Sequence, residues 1–124
     1  MNAKNILVID DNAYLLEAYQ LILTYAGYTV TTRSTGKDAL DFVCSILPNL
    51  IILDMTLDGY DGRDICNSFK QAQAVKDIPV VIVSGNHPIE RYISGRCKPE
   101  RFLEKPFEID ELVFIIEDEL EKAG

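Results

Sequence analysis

The feature that most limits what this chain can fold into is a repeated change of hydrophobic period. Short, unbroken apolar runs rich in Ile and Val occur at residues 5–10, 50–54 and 78–84. Continuous hydrophobicity of this length suits strands buried on both faces, as in a parallel sheet. Residues 28–33 alternate Thr with Val, which suits a strand nearer an edge, and 101–104 forms a fifth short run. Between the runs the period becomes helical. Leu15, Leu16, Tyr19, Leu23 and Ala26 share one face, with Asp11 or Asn12 as N-cap and Gly27 as stop. Ala39, Leu40, Val43 and Leu47 form a second stripe, closed by Pro48. Ile65, Phe69 and Ala72 mark a third within 62–75, and Leu112, Ile115, Ile116 and Leu120 a last one within 107–122. A short helix of one or two turns is expected from Pro88. Strand–helix alternation repeated about five times predicts an α/β fold, a doubly wound sheet with helices on both faces. Right-handed crossovers restrict its strand order to a few solutions.

At 124 residues the expectation is a single domain over 1–124 that buries a core without disulfides or a structural metal. Twelve Lys and Arg against 20 Asp and Glu give a net charge of −8, which disfavours direct nucleic-acid or anionic-membrane binding. The longest apolar run, 78–83, is six residues, too short for a bilayer span, and no signal-peptide core opens the chain. Cys44, Cys66 and Cys97 are odd in number and widely spaced, and read as reduced thiols of a cytoplasmic protein. His87, the one histidine, has no companions at zinc-ligand spacing.

In an open parallel sheet, ligands bind beyond the carboxyl ends of the strands. Asp10-Asp11 ends the first run, Asp54 the third and Ser84 the fourth, while Lys105 follows the fifth. Each emerges from an apolar segment at the same predicted rim. Taken singly, Asp10-Asp11 reads first as a loop with a helix cap, and Asp54 reads equally as a strand-end turn residue. Together the acids form an oxygen-only cluster that suits a hard divalent cation, Mg²⁺ before Ca²⁺. A carboxylate beside such an ion, an ammonium and a hydroxyl is equipped to attack a phosphoryl group and form an aspartyl phosphate. No glycine-rich phosphate cradle precedes a helix, and Gly59 and Gly62 read as turn glycines around Tyr60-Asp61.

Four motifs in order, Val8-Ile9-Asp10-Asp11, the stretch from Leu53-Asp54 through Gly59-Tyr60-Asp61-Gly62, Val83-Ser84-Gly85 and Glu104-Lys105-Pro106-Phe107, resemble the receiver domain of two-component response regulators. The resemblance spans nearly the whole chain. It implies a flavodoxin-like, five-stranded parallel sheet in order 2-1-3-4-5 with five surrounding helices. It also implies Asp54 as phosphoacceptor, and Asp11, Asp10, Asp54 and the backbone carbonyl of Thr56 around Mg²⁺, with Asp10 acting mainly through water. Lys105 would pair with the phosphoryl group, Ser84 would be the switch hydroxyl and Phe102 the switch aromatic, though Phe102 reads equally as strand-end packing. The Lys105–Pro106 bond would be cis. Where the family usually has Pro, this chain has Asp58, an extra carboxylate near the acidic rim that bears on loop geometry or metal affinity. Thr56 and Asn86 occupy the family's two variable positions.

The implied function is a phosphorylatable switch that takes phosphate from a sensor histidine kinase or a histidine phosphotransfer protein and passes a signal to an unknown downstream protein or effector domain. It would catalyse only its own phosphorylation and dephosphorylation. The alternative is a pseudo-receiver, a protein-interaction module that works without phosphate. An aspartyl-phosphate phosphatase would want a second Asp at position 56, where Thr stands, and Asp10-Asp11-Asn12 would repel a flavin phosphate. Eight acids and two lysines fill 104–124, whereas Arg91, Arg96, Lys98 and Arg101 oppose Glu90 and Glu100 in 87–103. That contrast suits a phosphorylation-linked homodimer or partner docking, beside plain solvated faces.

Overall fold

The computed structural model describes residues 3–85 and 97–123. β1 (Asn5–Ile9), α1 (Ala13–Tyr25), β2 (Thr29–Arg33), α2 (Ala39–Ile46) and β3 (Leu50–Asp54) follow one another. A two-rung antiparallel hairpin, β4 (Thr56–Leu57) and β5 (Tyr60–Asp61), leads into α3 (Gly62–Gln71). After it come β6 (Val80–Ser84), β7 (Arg101–Glu104) and α4 (Ile109–Ala123). The helix expected from Pro88 and the variable position Asn86 lie outside the described residues.

The main sheet runs β2-β1-β3-β6-β7 with every pairing parallel, which is the expected 2-1-3-4-5 order once the hairpin strands are set aside. Side chains of a strand alternate between faces, and here both faces are dry. Ile6, Val8, Leu50, Ile52, Val81 and Val83 pack with Tyr19 and Leu23 of α1 and Leu112, Ile115 and Ile116 of α4. Leu7, Ile9, Ile51, Leu53, Val80 and Ile82 meet Val43 of α2 and Ile65, Cys66 and Phe69 of α3 on the other side. This two-sided burial is the reason the three central strands read as unbroken apolar runs. The Thr-rich β2 lies at one edge, half exposed.

Local chemistry sets the helix ends. Asn12 caps α1, its side chain accepting from the Leu15 N–H at 3.1 Å, and Gly27 at φ 101 turns the chain back toward β2. Three boundaries differ from the periodic expectation. Leu47 leaves the second stripe: it stands 58% exposed at φ 46 and ψ 64, because Pro48 disfavours a helical residue before it. α3 stops at Gln71, and Ala72 turns extended while still packing on the core. β6 begins at Val80, yet the Pro79 carbonyl already accepts from the Ile51 N–H at 2.9 Å, a contact that needs no donor from proline.

An exposed leucine in the left-handed region carries a penalty of roughly 1–2 kcal/mol, more than the ~0.5–1 kcal/mol entropic cost of glycine. Leu47→Gly should therefore stabilise the fold by about 0.5 kcal/mol or more, read as a higher denaturant midpoint. An unchanged or lower midpoint would contradict this account of the α2 terminus.

Candidate functional site

The strand register gathers the site. Asp54 pairs with Val83, so it sits one residue short of Ser84 on the neighbouring strand. Ser84 in turn pairs with Glu104, and the Lys105 N–H that follows donates to the Ser84 carbonyl at 2.8 Å. Asp10 leaves β1 at the same rim, its N–H donating to the Arg33 carbonyl at 3.1 Å. Asp10, Asp54 and Ser84 are 2%, 7% and 3% exposed, while Asp11 reaches solvent.

Carboxylate oxygens of Asp10, Asp11 and Asp54 all lie within 4.8 Å of one another. At that separation each ionised pair repels by about 3–4 kcal/mol at an effective dielectric of 20. The nearest answer is Lys105, whose Nζ stands 3.4 Å from Asp10 Oδ2 and 3.4 Å from Asp54 Oδ2. Backbone donors supply the rest. Asp10 Oδ1 accepts from the Asn12 N–H at 2.9 Å and Asp54 Oδ1 from the Thr56 N–H at 3.2 Å. Asp11 Oδ2 accepts from the Asp58 N–H at 2.7 Å. Burial nevertheless pushes the Asp54 carboxyl above its ordinary range, with Asp10 adding to the rise and Lys105 and the Thr56 amide opposing it.

Three carboxylates against one ammonium leave a local charge of −2, supplied entirely by oxygen donors, which fits a hard divalent ion such as Mg²⁺. The sequence-predicted residues Asp10, Asp11, Asp54, Ser84 and Lys105 are thus brought to one rim, with Thr56 on the adjoining hairpin. Phe102 lies on β7, paired with Ile82, and is 37% exposed. The Lys105–Pro106 bond is cis.

Two contributions are not visible as chemical motifs. Gly62, read from the sequence as a turn glycine, does more than turn: a Cβ there would collide with the Asp54 carbonyl oxygen and stand 2.7 Å from Met55 Cα. Its N–H closes the loop onto the Met55 carbonyl at 2.8 Å. Tyr19, a member of the α1 stripe, is buried with its hydroxyl lacking a hydrogen-bond partner among the described residues. Burial, then the charges of Asp10 and Asp54, push that phenol up, so it stays protonated. Its ring stacks on Phe107 at 6.0 Å, beside an open apolar cleft of ≈ 510 Å³ between α1 and the segment after β7, lined also by Leu15, Ala18, Ile22 and Lys105.

The response regulator receiver domain family matches residues 6–117. The chain belongs to that family. This receiver domain is 28% identical over 109 residues to the response regulator MprA of Mycolicibacterium vanbaalenii, an alignment covering 87% of the chain and 46% of that relative. It therefore spans about half the length of the curated relatives it matches. Among solved structures it resembles the signal receiver domain of a signal transduction histidine kinase from Syntrophus aciditrophicus, with 26% identity, a TM-score of 0.89 and coverage of 97% and 92% of the two chains. It also resembles NtrX from Brucella abortus, at 32% identity and a TM-score of 0.85, covering 98% of this chain and 28% of that one. The receiver domain's acidic cluster is compatible with Mg²⁺. No helix of the described residues is long and apolar enough to cross a membrane.

The raised Asp54 carboxyl has a stability consequence. The native state holds that proton more tightly than the unfolded chain does, so the fold loses stability as pH rises from about 3.8, the ordinary value, through the native value. Without added metal, Asp54→Asn should therefore melt higher than wild type at neutral pH, and the difference should shrink as the pH falls below the carboxylate range. A variant that melts lower at neutral pH would contradict the electrostatic reading. Gly62→Ala should cost about 1–3 kcal/mol, since backbone rather than a side-chain tip must move. A wild-type denaturation midpoint would show the loop to be looser than its contacts imply.

Proposed function

We propose that this receiver domain is a phosphorylatable switch in which Asp54 accepts a phosphoryl group from a phosphohistidine of a sensor histidine kinase or a histidine phosphotransfer protein. The observation that carries the reading is Lys105 Nζ at 3.4 Å from both Asp10 and Asp54, two of three clustered carboxylates. In the transfer, an Asp54 oxygen forms a bond to phosphorus as the phosphorus–nitrogen bond breaks and the imidazole leaves. Lys105 exchanges its carboxylate pairing for a phosphoryl oxygen, keeping its charge at the point where negative charge accumulates. The Ser84 hydroxyl donates to another oxygen. Asp10, Asp11, Asp54 and the Thr56 carbonyl would hold Mg²⁺, which when bound neutralises phosphoryl charge.

Switching follows from the same contacts. As Ser84 turns to the phosphoryl group, space opens along β6, and the exposed Phe102 on the adjoining β7 moves in to fill it. The apolar cleft beside Lys105 is suited to dock the donor protein next to the reacting oxygen. Residues 1–124 act as one domain in the cytoplasm, catalysing their own phosphorylation and dephosphorylation and turning over no separate metabolite. The output is protein contact, to a downstream partner, an effector domain or a second copy of the chain.

Incubation with Mg²⁺ and acetyl phosphate, followed by intact-mass spectrometry, tests this reading. A single phosphoryl adduct is expected on wild type, none on Asp54→Asn, and a loss on the order of a hundredfold or more in rate for Lys105→Ala, as when one oxyanion donor is removed. Absence of an adduct on wild type would favour the phosphate-independent pseudo-receiver, and its persistence on Asp54→Asn would overturn Asp54 as the phosphoacceptor.

A further inference from the structure

The three acids of the site are not oriented alike. Asp10 and Asp54 are buried, and each carboxylate accepts a hydrogen bond from the backbone N–H two residues on, Asn12 and Thr56. Such local loops fix a side chain as soon as its own turn forms. Asp11 is exposed and has no such partner. Among the described residues, the hydrogen bond its carboxylate accepts comes from the Asp58 N–H, 47 residues away, at 2.7 Å. This is the shortest of the three backbone bonds, and a backbone amide carries it.

The donor is itself held. Asp58 and Gly59 form the two-residue loop of the β4–β5 hairpin, with Gly59 at φ 78. The hairpin is anchored at its far end where the Gly62 N–H meets the Met55 carbonyl at 2.8 Å. Thr56, whose carbonyl is assigned to the metal above, lies on the same hairpin. The Asp58 amide therefore bridges the turn after β1 to the hairpin after β3.

We propose that the backbone N–H of Asp58 is a positioning group for Mg²⁺ binding: it holds the Asp11 carboxylate in the cluster with Asp10 and Asp54 that would take the ion. This rests on the assignment of Asp11 to Mg²⁺ made above. The tether sets the orientation before the ion arrives, so ordering Asp11 does not have to be drawn from binding. Hydrogen bonds to a ligating carboxylate commonly change metal affinity by 10–100-fold when removed.

The backbone permits a selective test. Among the described residues the non-glycine positions at positive φ are Asp38 and Leu47, so Asp58 sits at negative φ before a positive-φ glycine, where proline fits the first central position of a type II turn. Asp58→Pro deletes the amide hydrogen and the carboxylate, and Asp58→Ala deletes the carboxylate alone. Calorimetric titration with Mg²⁺ alone should give an affinity on the order of tenfold weaker for Asp58→Pro than for Asp58→Ala. Equal affinities, or a tighter proline variant, with wild-type binding intact, would overturn the positioning role and leave the Mg²⁺ assignment standing. No Mg²⁺ binding by wild type would overturn the assignment and the role with it. Should the proline variant not fold, amide exchange in Mg²⁺-free buffer decides: the Asp58 amide should be protected in wild type and lose that protection in Asp11→Ala, and equal exchange in the two would overturn the tether.

Discussion

Asp10, Asp11 and Asp54 repel one another, and nothing within the cluster would keep them together if the chain around them were free to relax. They are held by the sheet. Asp10 and Asp54 end neighbouring strands whose Ile, Leu and Val residues below the rim are buried, so neither carboxylate can withdraw without dragging Ile or Leu side chains out of the core. Lys105 is set against them by the same means, through the last strand and its contact to Ser84. The hydrophobic core thus supplies the work that concentrates charge, and the stored repulsion favours a divalent cation.

Most of the fold was legible because the two-sided sheet writes itself as continuous apolar runs. β1, β3 and β6 declare themselves as central strands, and the Thr-Val alternation of β2 as an edge. The clustering of Asp10, Asp11, Asp54, Ser84 and Lys105 was legible for the same reason, since each follows an apolar run and parallel strands end at one rim. The small features were not. β4 and β5 are two residues each, too short for an alternation to repeat. The exposure of Leu47 depends on what Pro48 does to its backbone, which a count of stripe positions ignores.

The rest was hidden because it depends on three-dimensional approach. Gly62 is required by the Asp54 carbonyl lying where its Cβ would be, a contact no turn rule anticipates. Tyr19 reads as an apolar stripe member, and only the packed structure shows its hydroxyl without a partner among the described residues, near two carboxylates. The sequence departs from its family at Asp58 by a side chain, yet the contact Asp58 makes to Asp11 belongs to its backbone. A change of residue type there matters through the N–H that proline would lack.

The sheet also divides the molecule into two unlike ends. Every group of the site leaves at the carboxyl rim, whereas the opposite rim carries connections such as 72–79, where Gln73, Ala74, Lys76 and Asp77 are exposed and none belongs to the cluster. Loop closure grows only slowly more costly with length. New segments spliced into that far rim would leave the charge geometry untouched, so the scaffold can acquire additional recognition surfaces while its chemistry stays fixed.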